Sequence, residues 1–334
     1  MNRMKRSRTS AEKQTKQRPL VTVVCTCFNQ AEYVVQALES IVGQTYRPIE
    51  LLIVDNGSTD HSKAKIKSWL KENSNKIPIK TFLFDDKINY CKAFNQAFER
   101  SHGDYVVDLA ADDFFEPRHL EYAMAHLSQS DAKVYFCNSR EHFPGGKSRT
   151  FYPTDALGKA SGKVASGNVF AELIRRYAIS SPTLVMDARA FEEIGCYDEN
   201  LSYEDFDILV RMSSRYSFVY GDHITVNKRI LQESLSQQQY RSRKSHLLPS
   251  TYSVCEKLAT MVTSEAEKKA LQQRLIHEIK HATVSANFEV AQKMLNLYKE
   301  LYPLGVSYVF FYLWTIVKVD FSSWYEKWRQ RSFK

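Results

Sequence analysis

The sequence predicts an α/β protein: a mostly parallel central sheet with helices on both faces, followed by a C-terminal helical region. Three observations predict this. Four short β-rich apolar runs alternate with three helix-period segments between Leu20 and Leu109. Two of those runs end in acids, Asp55 and the pair Asp112-Asp113. After about residue 240 the composition shifts to helix formers.

The elements follow in order. Leu20 to Phe28 (LVTVVCTCF) reads as a buried strand. Ala31 to Gln44 turns helical, with Val34, Leu38, Ile41 and Thr45 on one face. Ile49 to Val54 is a second buried strand, closed by the polar turn Asp55-Asn56-Gly57-Ser58. A charged helix from about Ser62 to Glu72 precedes a third strand, Ile79 to Phe84. Tyr90 to about Arg100 is helical through Ala93, Phe94 and Ala97, and the fourth strand is Tyr105 to Leu109. Sheets of this kind bind ligands beyond the carboxyl ends of their strands. Asp55, Asp112 and Asp113 are therefore expected to converge on one rim.

From about residue 134 the pattern is mixed. Lys133 to Asn138, Leu184 to Met186 and Phe218 to Tyr220 read as strands, 139–167 as long glycine-bearing loops, and Asp205 to Arg215 as a helix. Residues 241–301 read as an appended helical domain. Within it Ser264-Glu265-Ala266-Glu267 is a capping box, and a second helix covers about 286–301.

Composition excludes several classes. No apolar run reaches the ~18–20 residues of a membrane-spanning helix. The six cysteines among 334 residues fit no zinc spacing, and a reduced, cytosolic setting is expected. Cys25 and Cys27 are expected on opposite faces of the first strand. The net charge of +8 does not indicate a nucleic-acid partner, because residues 1–18 alone carry +6 of it on a polar tail expected to be disordered. No P-loop, GxGxxG or HExxH pattern occurs.

Three acidic constellations carry the chemistry. Asp55 is either a turn aspartate satisfying its own backbone or an acceptor for a nucleobase imide N–H. Asp112-Asp113 is either a solvated acidic turn or a pair of hard oxygen ligands for Mg²⁺ or Mn²⁺, with a diphosphate completing the shell. Glu204-Asp205 is either a helix cap or a pocket-facing general base.

Together these residues carry a resemblance. Thr22 to Asp60 (TVVCTCFNQAEYVVQALESIVGQTYRPIELLIVDNGSTD) resembles the opening of family 2 glycosyltransferases of the GT-A fold. Gly103 to Pro117 (GDYVVDLAADDFFEP) resembles their metal-binding segment, and Phe191 to Met212 (FEEIGCYDENLSYEDFDILVRM) their catalytic-base segment. The resemblance implies that Thr26 and Phe28 line a uridine-type nucleotide site and that Asp55 binds the base. It places Asp112 at the ribose or sugar, Asp113 on a divalent cation (Mn²⁺ or Mg²⁺), and Asp205 as the base that deprotonates the acceptor hydroxyl. Lys92 and Asn95 would approach the donor. Ala110 and Asn56 stand where relatives often carry Asp, and Leu231-Gln232 stand where many carry a nearby His.

The expectation is an inverting transferase working by a single displacement from a nucleotide-diphospho sugar, expected to be UDP-linked, to a saccharide or lipid-linked acceptor in surface polysaccharide biosynthesis. A non-catalytic nucleotide-sugar or saccharide binder on the same fold is the alternative. The expected organisation is a tail (1–18), a GT-A domain (19–230) and a C-terminal helical region (231–334). The segment near 304–334, with its aromatic run Val306 to Val317 and basic residues after it, is either buried core or a helix lying in a membrane interface. The latter implies peripheral contact with the cytoplasmic face of the plasma membrane.

Overall fold

The computed structural model describes residues 18–231 and 238–332; the basic tail over 1–17 and Gln232 lie outside them. Strands β1 (Val21–Cys27), β2 (Ile49–Asn56), β3 (Ile79–Phe84) and β4 (Tyr105–Ala110) form a parallel block in the order β3-β2-β1-β4. Helices α1 (Val34–Val42), α2 (Ser62–Asn73) and α3 (Tyr90–Phe98) make the crossovers. All seven elements lie where the apolar runs and helical periods put them.

Beyond β4 the sheet is mixed rather than parallel. The chain continues through β5 (Phe114–Phe115), α4 (His119–Ser128), β6 (Val134–His142), β7 (Ser148–Thr150), α5 (Phe170–Arg175), β8 (Val185–Asp187), α6 (Ala188–Glu193), α7 (Asp205–Ser213) and β9 (Phe218–Arg229). The strand order runs on from β4 as β8-β6-β9-β5, with β7 paired to β6. Strand β8 is antiparallel to both β4 and β6, whereas β6 and β9 are parallel.

Two sequence expectations change here. Part of 139–167, expected as loop, is the end of β6 and its hairpin with β7. Strand β9 runs to Arg229 instead of stopping at Tyr220. The β6–β9 register shifts at Cys137/Asn138 and Asn138/Ser139. Such a bulge breaks the two-residue alternation by which a strand is recognised. The extension of β9 carries Lys228 and Arg229 to the rim.

The sheet separates two apolar layers. Val21, Val23, Cys25 and Cys27 of β1 pack with Leu38, Ile41, Trp69 and Leu120 on one face. Val24 of the same strand packs with Phe94, Phe191 and Leu209 on the other. Cys25 and Cys27 thus share a face, contrary to expectation, because residues two apart in a strand point the same way. None of the six cysteines is in a disulfide.

The C-terminal region is helical: α8 (Leu248–Met261), α9 (Glu265–Val284), α10 (Phe288–Leu301), α11 (Val306–Val317) and α12 (Ser322–Ser332). The predicted capping box is formed at Ser264 and Glu267. Leu258, Leu275, Ile279 and Leu295 join the same apolar cluster as α3 and α7, so these helices share the core of the sheet. They also brace α7. Lys257 Nζ donates to Asp198 at 2.6 Å and to Asp207 at 2.7 Å. The Arg274 guanidinium lies 4.4 Å from the Phe206 ring centroid, and its Nε donates to the Ile174 carbonyl at 2.8 Å.

Candidate functional site

The carboxyl ends of β1, β2 and β4 are adjacent by register. Cys27 pairs with Asp55 and Thr26 with Ala110. The Ala111 N–H donates to the Thr26 carbonyl at 2.9 Å, which brings Asp112 and Asp113 beside the end of β1. The rim foreseen for Asp55, Asp112 and Asp113 is therefore formed.

Asp55 is fully buried. Its Oδ1 accepts the Ser58 N–H at 3.0 Å, and Lys63 Nζ stands 4.0 Å away. Its Oδ2 is buried with no hydrogen-bond partner. Both the turn role and a free acceptor thus coexist in one side chain. Thr26 Oγ1 and Gln30 Oε1 are likewise buried and unpartnered. Buried polar groups are normally satisfied, so three such atoms at the carboxyl ends of β1 and β2 point to a polar ligand there. Asn56, which replaces a common Asp, does something else. Its side chain donates to the Ile88 carbonyl at 2.9 Å and accepts the Ile88 N–H at 3.0 Å, pinning loop 85–88 to the rim. Gly57 makes that approach feasible: at φ 74° a Cβ would lie 2.3 Å from the Asp86 carbonyl carbon. The pinned loop sets the Lys87 ammonium 4.2 Å from the Phe28 ring centroid.

Asp113 is 3% exposed, and its Oδ1 accepts the Arg229 N–H at 2.8 Å. Burial pushes its carboxyl well above the usual range, and the neighbouring Asp112 adds to the effect. Burial also raises Asp112. Arg229 is clamped between the rings of Tyr33 and Phe114, at 4.8 and 4.7 Å, and donates to the Asp112 carbonyl and to Gln36. The donor set fits a divalent cation. Two hard carboxylates, one buried and one half-buried, stand next to each other, where a cation would relieve their repulsion. No third His, Cys, Asp or Glu joins them into a metal-binding group among the described residues, so other ligands would have to be substrate oxygens and water. A histidine does stand beside Arg229, but on the next strand: His142 is in register with Arg229 and is hydrogen-bonded to Asn227 Oδ1 at 2.8 Å.

Asp205 opens α7, but it is not the cap; that position is Glu204, whose side chain makes no capping bond. Asp205 Oδ2 accepts from Ser181 Oγ at 3.0 Å and from Tyr177 OH at 3.3 Å. Burial, then the charge of Asp205, pushes the Glu204 carboxyl well up. Lys228 links the two ends of the site. Burial opposes its charge, yet Tyr177, Asp205, Asp113 and Glu141 together raise its pKa. An ammonium group thus lies in the fields of both the acidic rim and Asp205.

Sequence reasoning missed Lys228, Tyr177, Ser181 and Asp108. Asp108, inside β4, accepts from Tyr90 OH at 2.7 Å and Tyr197 OH at 2.9 Å. Burial raises its carboxyl to about 7 against the pull of those hydroxyls. A carboxylate in an otherwise apolar strand was the signal available. The two residues expected to approach the donor both lie on α3. Lys92 is exposed on α3. Asn95 is tied to the 197–199 loop, donating to the Tyr197 carbonyl at 2.9 Å and to Glu199 at 3.1 Å.

Residues 22–180 match the profile described as glycosyl transferase family 2. This stretch carries the family 2 glycosyltransferase pattern. An uncharacterized glycosyltransferase of Rickettsia typhi is 27% identical over 212 residues, covering 63% of this chain and 64% of the relative. The matched region thus spans just under two thirds of that protein's length. Glycosyltransferase GlyG of Streptococcus pneumoniae is 26% identical over 135 residues, 40% of this chain and 44% of GlyG. Among solved structures, S. aureus TarS 1–349 in complex with UDP-GlcNAc superposes with a TM-score of 0.67 at 16% identity, covering 93% of this chain and 91% of that one. The mannosyltransferase PcManGT from Pyrobaculum calidifontis, in complex with GDP-Man and Mn²⁺, gives 0.58 at 15% identity, covering 91% and 85%. The fold of the family 2 region is thus GT-A, followed by a C-terminal helical region, as the sequence motifs implied.

Proposed function

We propose that the chain is an inverting glycosyltransferase that moves a sugar from a UDP-linked donor to a saccharide or lipid-linked acceptor in surface polysaccharide assembly, on the cytoplasmic side of the membrane. The observation that carries this is the set of unpartnered buried acceptors, Thr26 Oγ1, Gln30 Oε1 and Asp55 Oδ2, beside the adjacent carboxylates of half-buried Asp112 and buried Asp113. Asp55 Oδ2 accepts the imide N–H of the base, and Phe28 flanks the ring. Asp112 takes the ribose or sugar hydroxyls. Asp113 would hold a divalent cation, which when bound would supply positive charge to the diphosphate. Asp205 accepts the acceptor hydroxyl proton. The acceptor oxygen then bonds to the anomeric carbon as the carbon–phosphate-oxygen bond breaks, and the nucleoside diphosphate leaves. Ser181 and Tyr177 hold Asp205 oriented for that step.

Ala110 favours a second reading, a nucleotide-sugar binder without turnover. One screen decides between them: nucleotide sugars with and without Mn²⁺, followed by thermal shift and by nucleoside diphosphate release. Release above the uncatalysed rate supports the transferase. Stabilisation without release supports the binder, and neither response removes both.

A further inference from the structure

The apolar C-terminal helix is divided between two roles. On one side of α11, Tyr308, Phe311 and Thr315 are buried, and Tyr308 and Phe311 belong to the main core cluster. On the other, Val306 (89% exposed), Val309, Phe310 (56%), Leu313 (54%), Ile316 (56%) and Val317 (68%) face outward. Their spacing of three and four makes one continuous stripe. Among the described residues, twelve of the fifteen exposed large apolar side chains lie between Leu301 and Trp324. This is a concentrated patch, unlike the scattered exposure of an ordinary surface.

The stripe continues past the helix end. Lys318 closes α11 in the left-handed conformation (φ 55°), and Trp314 Nε1 donates to the Val319 carbonyl at 2.6 Å. Trp314 then bridges Phe310 and Phe321, with ring centroids at 5.6 and 5.5 Å. Trp324, 63% exposed, extends the patch along α12.

We infer that this face of α11 and its turn into α12 is an interfacial docking surface for an anionic lipid bilayer. Charge identifies the occupant. No ionisable side chain other than tyrosine interrupts Val306 to Val317, and the charges sit beyond its end. There Asp320 is engaged by Arg243 at 2.7 Å, and Glu326 accepts the Ser242 N–H at 3.1 Å. Lys318 and Lys327 have no ion pair among the described residues and outnumber Glu326, whose hydrogen bond leaves its charge in place, so the net free charge beside the apolar face is positive. Apolar bulk, interfacial Trp and Tyr, and unpaired lysines are what a helix lying in an anionic headgroup layer needs. At twelve residues α11 lies in the interface rather than crossing it, and no described helix is long and apolar enough to span a membrane.

The test uses the full chain and vesicles of phosphatidylcholine with or without phosphatidylglycerol. The unmodified chain is expected to float with the anionic vesicles, and to do so less as salt rises. The triple variant Phe310→Ser, Leu313→Ser, Ile316→Ser changes only exposed positions and is expected to lose binding by at least ~10-fold. Lys318→Glu with Lys327→Glu is expected to weaken binding to anionic vesicles specifically. As a check independent of any variant, vesicles with brominated acyl chains are expected to quench tryptophan fluorescence of the unmodified chain. No flotation with anionic vesicles, or equal flotation of the triple variant, would overturn the inference. A triple variant that turns a self-associated chain into a monomer, with neither form binding vesicles, would assign the face to contact between copies instead. None of these readouts requires nucleotide-sugar turnover, so failure here and failure of the transferase reading are separable.

Discussion

Asp205→Asn separates chemistry from structure at the proposed base. The substitution removes one negative charge and keeps the shape. The two hydroxyls that reach Asp205, Ser181 Oγ and Tyr177 OH, both donate to Oδ2. An asparagine carbonyl oxygen can accept both, so the pocket loses no hydrogen bond. The helix cap is untouched because Glu204, not Asp205, occupies that position. What remains is the interaction of a first-turn acid with the helix dipole, worth about 0.3–1 kcal/mol, and the attraction of Asp205 for the Lys228 ammonium. Loss of both is offset in part by relief of repulsion with Glu204. The expected change in stability is therefore on the order of 1 kcal/mol, small in a thermal melt. Catalysis is affected very differently. Removing a general base costs about 10²–10⁴-fold in rate, or roughly 3–5 kcal/mol of barrier. Donor binding rests on Asp55, Thr26 and the carboxylate pair, and is expected to change less than about threefold. The assay measures nucleoside diphosphate release with acceptor present, UDP affinity by calorimetry, and melting temperature on one preparation. Normal turnover in the variant, or a fall in UDP affinity as large as the fall in rate, would refute the assignment.

Three further outcomes are expected. Asp113→Asn should abolish most of the Mn²⁺-dependent gain in UDP affinity, while the metal-free melting temperature holds or rises because buried like-charge repulsion is relieved; an unchanged metal dependence in calorimetry removes Asp113 from the site. Asp55→Asn should weaken UDP binding by roughly 10–100-fold, because the amide keeps the Ser58 bond but turns an N–H toward the base; equal affinity would leave Asp55 a turn residue only. Asp108 is protonated in the fold up to about pH 7, against 3.8 normally. The folded state therefore binds the extra proton, and this group's contribution to stability is full at low pH and lost as pH rises from about 4 to 7. Asp108→Asn should flatten that fall, by up to about 4 kcal/mol, in urea melts run across the window; an unchanged pH slope would count against it.

The sequence by itself determined the parallel half of the fold and the acidic rim. Buried parallel strands read as largely apolar runs, and β1, β2 and β4 are such runs, each ending in a turn that register alone makes adjacent to the next. Asp55, Asp112 and Asp113 needed nothing more than their position after those runs. The tertiary structure decided the other half of the site. Lys228 and Arg229 reach the rim only because β9 continues past a bulge, which removes the alternation that would have announced the strand. Tyr177 and Ser181 meet Asp205 across more than twenty residues of chain, and no local pattern encodes such a contact. Asn95 shows the converse: its place on α3 was legible, but whether its amide turned to the donor or to the 197–199 loop depended on packing. The helix Val306 to Val317 was legible as apolar, yet its division into a buried face and an exposed one was set by where α9 and α10 cover it. Local sequence fixes period and propensity, whereas the choice of which face is covered belongs to the whole chain.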